Sequence, residues 1–137
     1  KATGRVLSIH IDKTADMTFL TVNKKNPNIA RVIRSRKGKV LGVVEQQNLT
    51  SEQEKIKEIN CGTYCFSVNF FNNCLSKVKK NRVSQEYYIT ELIEIGVRDN
   101  AKVYAYKMTN EDYFQGVNTK EQLFNTDLKM KSSLKKR

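Results

Sequence analysis

Apolar positions along this chain fall into short runs whose spacing alternates between the two-residue period of a strand and the 3.6-residue period of a helix. Met17 to Val22 reads as a buried strand, stopped by Asn23, Lys24, Lys25, Asn26 and Pro27, a cluster of turn formers ending in a residue of fixed φ. Arg31 to Arg36 and Lys39 to Glu45 read as two further strands. They are joined through Lys37 and Gly38, where glycine reaches the positive φ of a tight hairpin. The polar stretch Gln46 to Lys57 predicts a loop with one helical turn, and Ile59 to Phe66 returns as a strand rich in β-formers.

Helical spacing takes over where Phe71, Cys74, Leu75 and Val78 line one face of a helix from about Val68 to Lys79. Ile89, Leu92, Ile93 and Gly96 mark a second helical face, and Lys102 to Lys107 reads as a strand with Val103 and Ala105 on one side. After a loop, Thr119 and Gln122 stand three apart as a capping-box pair opening a helix that carries Leu123, Phe124 and Leu128. Asn118 would then stand just ahead of a helix N-terminus, where unpaired N–H groups favour anions such as phosphate. The alternation predicts an α/β domain over residues 17–128. Residues 1–16 match no element, and the basic segment 129–137 has too little apolar content to pack and reads as a mobile tail.

Charge narrows the function classes. The chain has 137 residues, one domain or a piece of one, with 25 Lys and Arg against 14 Asp and Glu. The resulting +11 lies mainly before Gly42 and after Asp127 and would draw phosphate, nucleotides or other anions. No RNP1 run or zinc-finger spacing accompanies it, so a nucleic-acid partner is not expected. No apolar stretch approaches the roughly 20 residues of a membrane span, and there is no apolar signal core, so the expected location is the cytoplasm, with no membrane partner. Cys61, Cys65 and Cys74 contain no C-x-x-C pair and read as small core residues, with Cys61 and Cys65 on one face of their strand. His10 reads as a surface residue, and Glu52, Glu54, Glu91 and Glu94 as solvated positions; no acid–base pair is evident from spacing.

From Gly38 to Asn118 the chain carries GKVLGVVEQ, TSEQ, EIN-G, EYYITE and GVN in that order. Together these resemble the second half of the sugar-binding domain of bacterial N-acetylglucosamine-1-phosphate uridyltransferases, which make UDP-N-acetylglucosamine, a precursor of cell wall and lipopolysaccharide. The resemblance implies a partial Rossmann-like, glycosyltransferase-A-like nucleotidyltransferase sheet with flanking helices and its N-terminal half missing. Carried over residue by residue, Glu45 resembles the carboxylate that accepts hydrogen bonds from the sugar, and Asn60 the amide that contacts the N-acetylglucosamine moiety. Gly62 matches the glycine of the EIN-G segment, and Tyr88 and Thr90 are similar to residues lining the sugar-phosphate side of the pocket. Asn118 resembles the residue that helps hold Mg²⁺ beside the nucleotide phosphates, a hard cation that prefers oxygen ligands. Implied ligands are UDP-N-acetylglucosamine or a sugar phosphate.

The chain also departs from that family. It lacks the glycine-rich G-x-G-T-R loop and the P-K segment that hold the nucleotide, and the hexapeptide repeats of the β-helix that supplies the second activity of the bifunctional relatives. Asn28, Ile29, Ala30 and Arg31 stand where relatives carry G-Y-G-R, one residue shorter and without glycine. The chain begins with Lys1, as a processed chain or a fragment would. These departures lead to the expectation of an isolated chain without uridyl transfer, an unpaired sheet edge and a complementary N-terminal half chain as partner. The alternatives are a decayed, non-catalytic remnant of the fold, which the altered segment Asn28 to Arg31 favours, and a basic, non-catalytic module that binds anionic partners and has only inherited its sequence.

Overall fold

The computed structural model describes residues 2–25, 28–82, 84–109, 117 and 119–134. Its elements run α1 (Ala2–Asp12), β1 (Met17–Asn23), β2 (Arg31–Arg34), β3 (Val40–Val44), a 3₁₀ turn (Gln46–Asn48), α2 (Ser51–Glu54), β4 (Glu58–Phe66), α3 (Val68–Leu75), α4 (Glu91–Arg98), β5 (Val103–Met108) and α5 (Lys120–Leu134). This is an α/β fold whose five-stranded mixed sheet has the order β3-β2-β4-β1-β5. β1 lies between β4 and the edge strand β5, antiparallel to the first and parallel to the second, from Met17 opposite Val103 to Val22 opposite Met108.

Two apolar clusters cover the two faces of β1, as strand alternation requires. Met17 and Phe19 point to the larger one, which contains Leu92, Ile93 and Ile95 of α4, Phe70 and Cys74 of α3, and Val32, Val40 and Val43 of the β2–β3 hairpin. Leu20 and Val22 point the other way, to a smaller cluster with Ile59, Met108 and Val6 of α1. Gly96 lets α4 approach closely, because a Cβ there would stand 2.8 Å from Val103 Cγ2 and 3.1 Å from Phe70 Cζ.

Local signals explain several boundaries. Gly38 turns the β2–β3 hairpin at φ +78°, and Ser67 caps α3 by accepting from the Phe70 N–H. Thr50 and Gln53 close a capping box on α2, and Thr119 and Gln122 close the one expected on α5. α3 ends at Leu75 instead of Lys79, burying Phe70 and leaving Leu75 exposed, so the helical face is rotated from the sequence expectation. Ile89 is likewise exposed and precedes α4. Residues 2–12, unassigned from sequence, form α1. His10 reaches from it to share a hydrogen bond with the fully buried Thr18 and is therefore half-buried. α5 continues through residue 134, past the point where a separate basic tail was expected, with Leu123, Phe124 and Leu128 exposed.

The pairing of β4 is uneven. Its residues from Glu58 to Phe66 pair with β1, whereas its other flank meets β2 only where Ile59 faces Arg31. Beyond that point the hairpin leaves β4, and its far end, at Gly38 to Val40, comes to lie beside Ala101 to Ala105. The flank of β4 from Asn60 to Phe66 thus has no neighbouring strand among the described residues.

Candidate functional site

A cleft of about 380 Å³ opens where β3 runs out into Glu45 and the chain re-enters α4 at Thr90. Its walls include Glu45, Asn48, Lys79, Lys80, Tyr88 and Thr90. Glu45 leaves the end of the buried strand β3, and Thr90 is buried immediately ahead of Glu91, the first residue of α4. The Thr90 hydroxyl donates to Glu45 Oε1 at 2.8 Å, joining residues 45 apart in sequence. That bond orients the carboxylate while leaving its second oxygen able to accept from hydroxyl or amide donors. Among the described residues, Arg31 on β2 donates to Gln46 Oε1 at 3.0 Å and so anchors the turn that follows Glu45.

Lys79, Lys80, Asn81 and Tyr88 of the cleft lining come from the loop between α3 and α4. Asn81 N–H donates to the Glu86 carbonyl at 2.8 Å, Lys80 and Tyr87 form an isolated bridge, and the Lys80 ammonium lies 5.7 Å above the Tyr87 ring. Glu91 accepts from the Lys79 N–H at 2.9 Å, so it supports this loop instead of being simply solvated. Glu94 also lines the cleft, laid along Gly42, where a Cβ would meet its Cγ at 3.0 Å. Partial loss of solvent and the charge of Glu91 push the Glu94 carboxyl up, with Arg98 opposing them.

Asn60 and Gly62 lie on β4, not in the lining of this cleft. Asn60 is buried, donating from Nδ2 to the Tyr64 hydroxyl and accepting at Oδ1 from the Gly62 N–H at 3.2 Å. Gly62 is exposed and occupies φ +68°, a conformation that favours glycine over any residue with a Cβ. Tyr64 holds the Asn60 amide through its hydroxyl. Burial pushes its hydroxyl up, the hydrogen bond from Asn60 opposes this, and the charge of Glu45 adds to the rise. Sequence reasoning missed Tyr64, although an aromatic residue with a polar tip two positions beyond the EIN-G glycine is a readable signal.

Asn118, the expected Mg²⁺ residue, lies outside the described residues. Among those described, no group of three or more His, Cys, Asp or Glu side chains is placed to hold a metal ion. The described side chains do not by themselves make a cation site. Ala30, in the segment that replaces the glycine-containing one, is buried in the larger core. Cys74 is buried and Cys61 and Cys65 half-buried; desolvation, with the charge of Glu58, pushes the Cys61 thiol up to about 12 and keeps it protonated. No helix of the described residues is long and apolar enough to cross a membrane.

Fold and cleft together define an α/β domain with a carboxylate-bearing polar cleft at the end of a sheet strand. The sequence matches a segment of bacterial proteins named bifunctional protein GlmU. It is 38% identical to that of Caldicellulosiruptor saccharolyticus over 128 residues, 91% of this chain and 27% of the relative. Identity to the Bacillus licheniformis protein is 35% over 133 residues, 96% of this chain and 29% of the relative. The Acetivibrio thermocellus protein is 31% identical over 138 residues, 100% of this chain and 30% of the relative. The chain is a relative of one segment of the bifunctional GlmU proteins and spans less than a third of their length. No protein-family model matches it.

Proposed function

We propose that this chain is the sugar-phosphate-binding portion of a uridyltransferase that makes UDP-N-acetylglucosamine from UTP and N-acetylglucosamine 1-phosphate in the cytoplasm. The observation that carries this reading is the Glu45–Thr90 pair, held in a polar cleft by residues 45 positions apart, within a chain similar to a segment of the GlmU proteins. Glu45 accepts from sugar donors, Thr90 and Tyr88 border the sugar phosphate, and Lys79 and Lys80 offset the carboxylates around it. Uridyl transfer needs no covalent nucleophile from the protein. It requires both substrates in line and the phosphate charge neutralised, for which Mg²⁺ supplies positive charge. Asn118 would contribute one oxygen to that ion, and the remaining ligands would come from phosphates, water and groups outside this segment.

The uridine side of the reaction is assigned to a complementary half, and the flank of β4 that has no neighbouring strand among the described residues is where an added strand can complete the sheet. Isolated, the chain binds the sugar phosphate and transfers nothing. A thermal melt with and without N-acetylglucosamine 1-phosphate tests the binding, because a ligand held only by the folded state raises the midpoint. The shift is expected in the wild-type chain and absent in Glu45→Ala. A flat wild-type response, or Mg²⁺-dependent formation of UDP-N-acetylglucosamine by the chain alone, would overturn the corresponding half of the proposal.

A further inference from the structure

We infer that a second cavity, between the turn of the β2–β3 hairpin and the start of β5, is a binding site for an anion carrying two adjacent phosphoryl groups, as inorganic pyrophosphate or a nucleoside diphosphate does. It is separate from the Glu45–Thr90 cleft and does not depend on the sugar-phosphate reading.

The fold brings together charges that are far apart in sequence. The cavity has a volume of about 420 Å³, and its charged lining consists of Arg34, Lys39 and Lys102, with no carboxylate. A sphere of that volume is about 9 Å across, so an ion held inside lies within a Debye length of both walls. Arg36 and Lys37 stand in the same turn and add to the positive field. Against it are Glu58, which is bonded to Arg34 and Lys107, and Asp16, which spends Oδ2 on the Lys102 N–H. Val40 of the lining is buried and Ala101, Val103 and Ala105 are half-buried. Such low-dielectric walls focus a field of one sign on the space they enclose.

Both walls are fixed. In the turn, the Gly38 N–H donates to the Ser35 carbonyl and the Ser35 N–H to the Lys39 carbonyl, each at 2.9 Å, while the Lys39 N–H donates to Ser35 Oγ at 3.2 Å. Opposite, the Lys102 N–H donates to Asp16 Oδ2 at 2.9 Å, and the Lys102 carbonyl accepts from the Asp16 N–H at 3.1 Å. The backbone of each lysine is therefore held. Among the described residues, neither ammonium has a hydrogen-bond or ion-pair partner.

The donors decide the ligand class. Arg34 donates from Nε and Nη2 to Glu58 and from Nη1 to the Gly38 carbonyl, so the planar fork that suits a carboxylate is already taken. What remains is the second hydrogen on each terminal nitrogen of Arg34 and the two ammoniums, point charges with three donors each. Donors spread in this way suit tetrahedral phosphoryl groups, whose oxygens accept from several directions. Two unpaired ammoniums call for an anion with more than one charge.

The test is calorimetric titration of inorganic pyrophosphate and, separately, of ADP into the full 137-residue chain, with amide NMR to locate the response. Saturable binding is expected, with shifts centred on Gly38, Lys39 and Lys102, and the tighter of the two ligands identifies the source of the diphosphate. Lys39 and Lys102 are exposed, so the double variant Lys39→Ala/Lys102→Ala should fold. Its binding is expected to weaken about tenfold or more, the scale of losing a charge-assisted hydrogen bond. Lys55→Ala/Lys129→Ala removes the same charge elsewhere and should leave binding nearly unchanged. Equal losses in the two double variants, shifts centred on Lys79 and Lys80 instead, or binding of a short single-stranded oligonucleotide but of neither diphosphate would overturn the inference. The first double variant should also keep the melting shift produced by N-acetylglucosamine 1-phosphate. Loss of that shift together with diphosphate binding would mean a single site and would likewise overturn it.

Discussion

The two faces of the sheet are built to different standards. Under α3 and α4, Phe19, Met17, Leu92 and Ile93 are fully buried in one continuous cluster that also receives the hairpin. On the other face α1 contributes Val6 alone to a five-residue buried cluster, while Leu7 and Ile11 of the same helix are exposed. The cleft lies on the well-packed side, between the end of β3 and the start of α4. Binding residues need rigid support to hold their geometry, and this side provides it.

Truncations should expose the contrast most strongly. Leu92→Ala is expected to cost about 2–5 kcal/mol, by lost transfer energy plus a cavity. Val6→Ala should cost about 1–2 kcal/mol, near 0.8 kcal/mol for each carbon removed. Urea unfolding of both variants measures the difference, and equal losses would refute the asymmetry.

Acid should reveal a second feature of the cleft-bearing face. Glu58 is buried, bonded to Arg34 and Lys107 at 2.7 Å each and accepting from Thr21 at 2.7 Å. Burial alone would raise its carboxyl, but the bonds from Arg34, Lys107 and Thr21, with the Arg34 charge, hold it below the ordinary value. A depressed folded pKa contributes stability that is complete above the unfolded value, about 4.3, and is lost as pH falls through the folded one. Melting midpoints recorded from about pH 7 to pH 2 should therefore fall on the acid side. Glu58→Gln should lower the plateau at neutral pH and flatten that fall, since Arg34 and Lys107 lose their shared counter-charge.

The smallest effect belongs to the ion pair of Lys77 and Asp99, 2.7 Å apart at the solvent edge of α3 and α4. Exposed pairs of this kind contribute little, so Lys77→Ala should leave the melting midpoint in place. A clear drop would show that the two helices depend on their rim as well as their core.

Much of the well-packed face was legible in the sequence because its signals are local. Gly38 announces the hairpin, and Leu92, Ile93 and Gly96 mark the inner side of α4. The face of α3 was read one step off, since Phe70 and Leu75 are equally apolar and only the position of β4 and α4 decides which is buried. α1 escaped notice because, among its described apolar side chains, only Val6 is deeply buried, too little to set a period. At the site, the resemblance pointed to Glu45 and Thr90 as separate positions, but their contact is tertiary and no local spacing encodes it. The bond between Asn60 and Tyr64 depends on an irregularity in β4, which alternation rules do not anticipate.

The place of β1 between β4 and β5 also governs how this molecule must assemble in time. Its parallel partner β5 arrives late in the chain, and the bond from the Lys102 N–H to Asp16 Oδ2 closes a separation of 86 residues. Loop closure over such a distance costs entropy before any contact compensates it, so docking of β5 is expected late and slowly, after β1 and β4 have paired. Until that step one side of β1 is bare, a transient edge at which kinetic competition between folding and self-association is decided.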